Sequence, residues 1–97
     1  MKGNIWEFHV KEGCERQFEA MNRYNWPNLF EKSRGRYHGT DIARNLETPR
    51  IYVTVDKWDS EEDFNKFLEA HKEEYDILDE IHKDVYESVR HVGWIDL

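Results

Sequence analysis

The stretch RIYVTVDKWDSEEDFNKF, Arg50 to Phe67, places an apolar strand directly ahead of an amphipathic helix. Ile51, Tyr52, Val53, Thr54 and Val55 are all β-branched or aromatic, which suits a pleated surface packed on at least one face. The strand ends at Trp58. Asp59 and Ser60 can each cap the free N–H groups of a new helix, and Glu62 and Asp63 follow three residues later, as a capping box requires. Glu61, Glu62 and Asp63 also put negative charge in the first turn, where the helix dipole favours it. Phe64, Phe67 and Leu68 then recur at helical spacing.

Upstream, Arg36 to Leu46 reads as the partner strand of a hairpin, with Tyr37, Thr40, Ile42 and Leu46 as packing residues and Asn45–Pro49 as its polar loop. Residues 4 to 10 alternate, which puts Trp6, Phe8 and Val10 on the buried side of a first strand. Cys14, Phe18 and Met21 form the core stripe of a first helix, so the Cys14 thiol is expected to be buried and inert. Trp26-Pro27 is expected to interrupt that helix, because the residue before a proline is pushed out of helical geometry. Leu29 and Phe30 anchor the short piece beyond it.

Downstream, Phe64, Phe67, Leu68, His71, Tyr75, Leu78, Ile81, His82 and Val85 keep one helical phase to about Glu87. A straight helix of that length spans roughly 40 Å, more than a short strand covers, so a bend is expected between Ala70 and Glu73. In the last strand, Ser88 to Leu97, Val89, His91 and Ile95 share one parity and Arg90, Val92 and Trp94 the other. The order strand, helix, strand, strand, helix, strand predicts one ferredoxin-like α+β domain over residues 1–97, with an antiparallel sheet and its helices on one face. That leaves the other face bare. Apolar residues on both faces of the last strand point to a second copy as its cover, hence a homodimer.

The 97 residues include four Trp, five Tyr and five Phe, with few Gly or Pro, the composition of a folded domain. A net charge of −7 argues against a partner reached through phosphates, whether nucleic acid or an anionic membrane. The single cysteine forms no internal disulfide. The N-terminus lacks an apolar run long enough for a signal peptide or span, which makes the cytoplasm the expected location.

Four segments resemble one family: IWEFHVKEGCERQFE (5–19), NWPNLFEKSRGRYHGTDIAR (25–44), IYVTVDKWDSEEDFNKF (51–67) and EEYDILDE (73–80). The chain resembles the dimeric α+β barrel proteins grouped with the antibiotic-biosynthesis monooxygenases, called ABM-like. The resemblance implies a homodimer whose two sheets meet as a barrel, with a pocket between helices and sheet in each subunit. Members include oxygenases that use no flavin or metal, haem-degrading enzymes, and small isomerases or cyclases. The haem-degrading branch uses an Asn on the first strand and a Trp and His on the second long helix. Those first two positions fall here at Trp6 and Phe67, so no haem, and no other cofactor, is expected.

His71, Tyr75 and His82 are the polar-tipped members of the apolar stripe, which makes them the candidate catalytic residues. An imidazole in a pocket can take a proton from a phenol or enol. The competing reading of each is an ordinary edge-of-core side chain bonded to the backbone. Trp6, Phe8, Phe64, Phe67 and Leu78 are the candidate walls of a pocket for a small aromatic or polyketide-like molecule, or else plain core. Asp79 lies beside the stripe, where it can orient a histidine or face water. His9, His38 and His91 fall on three strands without any metal-ligand spacing, so no metal is expected. Arg34 and Arg36 flank a turn, where they can meet an anion or stay solvated. Two functions follow: a cofactor-independent monooxygenase or related proton-transfer enzyme, or a non-catalytic binding or structural homodimer.

Overall fold

The computed structural model describes Met1–Leu97. Its elements are β1 (Lys2–Val10), α1 (Glu15–Ala20), α2 (Trp26–Phe30), β2 (Tyr37–Arg44), β3 (Ile51–Trp58), α3 (Glu61–Ala70), α4 (Lys72–His82) and β4 (Tyr86–Asp96). The strands form one antiparallel sheet in the order β2-β3-β1-β4. This is the ferredoxin-like α+β arrangement, with the helices packed on one face. No helix is long and apolar enough to cross a membrane.

β3 alternates as its sequence requires: Tyr52, Thr54, Asp56 and Trp58 are buried, while Ile51, Val53, Val55 and Lys57 are only partly covered. The buried row faces the helices beside Phe8 and Val10 of β1. Ser60 then caps α3. Its Oγ accepts from the Asp63 N–H at 3.1 Å and donates to the Asp63 carboxylate at 2.8 Å. The core has two adjoining parts, one around Phe8, Phe18, Tyr52 and Val85, the other around Trp26, Phe30, Trp58 and Phe67.

Tertiary structure departs from local pattern at four places. At Trp26-Pro27 the helix continues, with Trp26 in helical geometry (φ −64°, ψ −48°). The chain passes through a π-helical turn at Met21–Asn25, where the Trp26 N–H bonds to the Met21 carbonyl five residues back. Proline lacks an N–H and its ring crowds the carbonyl four residues earlier; a wider turn just before it relieves both conflicts. In β4, the register with β1 shifts between Ile5 and Trp6, leaving Val92 as the extra residue of a bulge. The bulge reverses the parity beyond it, so Trp94 joins His91 and Val89 on the helix side while Ile95 faces out with Arg90. Leu46 lies past the end of β2 and is 93 % exposed, and Ile81 points away from the core. The long helix does break inside the expected window: His71 leaves helical geometry (φ −128°, ψ 28°) between α3 and α4.

Candidate active site

Between the helices and the inner sheet face lies a partly open cavity of about 70 Å³. Trp6, Phe8, Trp26, Phe30 and Tyr86 supply its aromatic walls, and Val89 sits at its edge. Its polar groups come from three directions: Asn22 from the π-helical turn, Thr54 and Asp56 from β3, and Tyr75, Asp79 and His82 from α4. A groove of about 380 Å³ runs outside, past Leu29, Ile77 and Ile81. It is a surface trough edged by the Lys32–Glu74 ion pair, and it holds no buried ionisable group, so the smaller cavity is where chemistry can be supported.

His82 ends α4 and is 2 % exposed, enclosed by Phe8, Phe18, Trp26 and Tyr86. The Trp26 indole N–H donates to its Nδ1 at 3.3 Å. Its Nε2 lies 3.2 Å from Asn22 Nδ2, which also donates to the Phe18 carbonyl at 2.9 Å. Both ring nitrogens therefore face N–H groups, and a neutral imidazole has one lone pair to offer. The π-helical turn is what brings Asn22 and Trp26 to the same ring. Burial lowers the His82 pKa to about 4, so the ring is uncharged at neutral pH.

Asp56 is 9 % exposed. Its Oδ1 accepts from Thr40 Oγ1 at 2.7 Å, and the Tyr37 hydroxyl bonds to that same Thr40 oxygen. Burial pushes the carboxyl up to about 6, with the Thr40 hydrogen bond opposing. The Tyr75 phenol is pushed well above its ordinary value by burial, reinforced by Asp79 and Asp56. Asp79 is more open and lies 3.6 Å from Lys83 Nζ.

Of the residues singled out in the sequence, His82, Tyr75, Asp79, Trp6 and Phe8 meet in this cavity. The others do not line it. His71 sits at the α3–α4 junction, where it packs against Phe67 and bonds to Glu74 at 3.0 Å. Phe64 and Phe67 pack on Trp58 and Phe30 in the second core cluster, with Leu78 against both clusters. The three strand histidines stay apart: His9 is exposed, His38 bonds to Asp59 at 2.6 Å, and His91 packs against Trp6 while bonding to the buried Asn4 at 2.6 Å. Cys14 is half-buried beside the first core cluster.

Asn22, Trp26, Thr54 and Asp56 line the cavity without having been singled out in the sequence. Asp56 carried a readable signal, since it stands in the inward parity of a strand between Thr54 and Trp58. A charge in the buried row of a central strand asks for a reason.

Sequence comparison with family models and with curated proteins gives no match. Structural comparison does. A Bordetella bronchiseptica protein assigned to the antibiotic biosynthesis monooxygenases superposes with a TM-score of 0.80 at 22 % identity, over 99 % of this chain and 95 % of that one. The chain has the ABM-like fold. SnoaB, a cofactor-independent oxygenase from Streptomyces nogalater, shares the ABM-like fold at TM-score 0.72 and 12 % identity, over 99 % and 91 % of the two chains. A dimeric ferredoxin-like protein from an uncultured marine organism matches at 0.72 and 16 %, over 99 % and 88 %.

Proposed function

We propose that this ABM-like protein is a cytoplasmic homodimeric enzyme that removes a proton from a small aromatic molecule and passes the resulting carbanion to dioxygen without a cofactor. The observation that carries this reading is an aromatic-walled cavity into which buried titratable groups converge. Such a cavity shields a carbanion from water while orienting it. For a ring CH2, one oxygen atom enters as the new carbonyl and the other leaves as water, so dioxygen supplies the whole oxidation. The cavity is smaller than the ~150 Å³ that takes up a benzene. The reacting edge of the substrate therefore enters, and the rest lies at the mouth beside Val89.

The test is oxygen uptake over a panel of electron-rich phenols and hydroxylated polycycles. Uptake above the uncatalysed rate is expected, with most of it lost in Val89→Trp, which fills the mouth from an exposed position. Uptake that survives Val89→Trp places the reaction elsewhere. No uptake with any member favours the alternative, a homodimer that binds or supports without catalysis.

The dimer is proposed from the outer sheet face. Ile5, Val53 and Val55 are only partly covered there, and Val92, Ile95 and Leu97 are exposed beside them. Gly3 lies under this cluster, where an added Cβ would come within 2.9 Å of Val55. Continuous apolar surface on an otherwise acidic protein suits a self-complementary interface. Native mass spectrometry is expected to show a wild-type dimer and a Val55→Lys monomer. A wild-type monomer removes the barrel from the proposal.

A further inference from the structure

We propose that Asp56 is the proton acceptor of the cavity, and that the ligand it serves is a neutral molecule presenting an acidic O–H, a phenol or an enol. The inference deepens the proposed function and rests on its reading of the cavity as a ligand site.

Asp56 stands on a central strand, opposite Asn4 of β1 and Thr40 of β2. It makes no ion pair, and the Thr40 hydroxyl is its one hydrogen-bond donor within the chain. That bond has a fixed direction. The Tyr37 phenol, raised to about 12 mainly by burial, stays protonated and donates to Thr40, which spends its own hydrogen on Asp56 Oδ1. The Oδ1 side is thereby anchored, and Oδ2 is left without a protein donor in a residue that lines the cavity. A buried carboxylate so placed is costly to the fold. A ligand hydroxyl in the cavity is the partner that its geometry lacks.

The other groups facing the cavity are already committed. His82 has an N–H directed at each ring nitrogen, so protonation where it stands would set N–H against N–H twice. Tyr75 is held as a phenol, a donor at neutral pH. Asp79 has Lys83 beside it, and the raised Tyr86 phenol also stays protonated. No Lys or Arg lines the cavity, so an anionic ligand would meet the Asp56 carboxylate with no cation in the lining to offset it. A neutral O–H donor fits. In the step itself the substrate O–H bond breaks, a bond from hydrogen to Asp56 Oδ2 forms, and the electron pair stays on the substrate.

Phenol is a suitable probe because it stays neutral throughout the range that matters, so any pH dependence of its binding comes from the protein. Binding is followed by tryptophan fluorescence and calorimetry from pH 5 to 7, in wild type and Asp56→Asn. The wild-type Kd should tighten at least fivefold on raising the pH, with a midpoint near 6; the variant should bind weakly with a flat profile, and benzoate should bind neither. A variant that keeps the wild-type slope overturns the assignment to Asp56 while leaving the cavity a ligand site. Benzoate binding better than phenol overturns the ligand class. If phenol binds neither protein, the underlying reading fails and the assignment falls with it. Carbon NMR of the wild-type Asp56 carboxyl provides a check independent of the variant: saturating phenol should lower its titration midpoint, and an unmoved midpoint refutes the contact.

Discussion

Asp56→Asn raises the unfolding free energy at pH 7 by about 3 kcal/mol, and the gain disappears below pH 4. Burial pushes this carboxyl from its ordinary 3.8 up to about 6; the difference, 6 − 3.8 = 2.2 units at 1.36 kcal/mol each, gives about 3 kcal/mol. Because the pKa is raised, the native state holds the proton more tightly than the unfolded chain. The contribution is fully present below 3.8 and is lost as pH rises through 6. His82 runs the other way. Its pKa falls from 6.5 to about 4, so the unfolded chain binds more protons between those values, and stability is lost as pH falls from 6.5 to 4. Between pH 4 and 6 the two slopes oppose, leaving their joint profile nearly flat in the wild type. The asparagine keeps an acceptor for Thr40 and exposes the His82 slope alone. Urea unfolding of both proteins at steps from pH 4 to 8 checks this, and superimposable profiles would refute it. Against the 5–15 kcal/mol typical of a domain, such a gain marks Asp56 as a residue kept for something other than stability.

Trp58→Ala costs about 4 kcal/mol, whereas Trp58→Phe costs about 1 kcal/mol. Trp58 is 0 % exposed and packs against Phe30, Tyr37, Phe64 and Phe67. Truncation to alanine leaves a cavity that those four rings, themselves interlocked, cannot collapse to fill. Phenylalanine keeps a ring in that contact. It also removes the indole Nε1, a buried N–H with no hydrogen-bond partner, and relief of that penalty of roughly 1–3 kcal/mol offsets much of the lost volume. The two variants are compared by urea unfolding at one pH. Equal losses would mean that a phenyl ring at this position restores none of the packing against those four rings.

The ABM-like fold was legible because its signals are local. Period-two alternation in residues 51–58 and 4–10 set which faces are buried, Ser60 with Asp63 set the start of α3, and the mismatch between helix length and strand length anticipated the break at His71. Each depends on residues within a few turns of one another. Asp56 carried a signal of the same local kind, the inward parity of its own strand, although it was not singled out.

Other features depended on residues far apart in the chain. His82 could be placed on an apolar stripe, but its partners Asn22 and Trp26 lie 60 and 56 residues away and reach it only through a π-helical turn that no periodicity announces. His71 shares that stripe yet turns to Glu74, because the break takes it out of helical phase. One extra residue at Val92 reversed the faces of Trp94 and Ile95. The sequence by itself determined the elements, their order and their buried rows, since hydrophobic period and capping act over one or two turns. Only the tertiary structure decided which polar side chains share a cavity, since that depends on strand register, bulges and helix packing, each of which one inserted residue can shift.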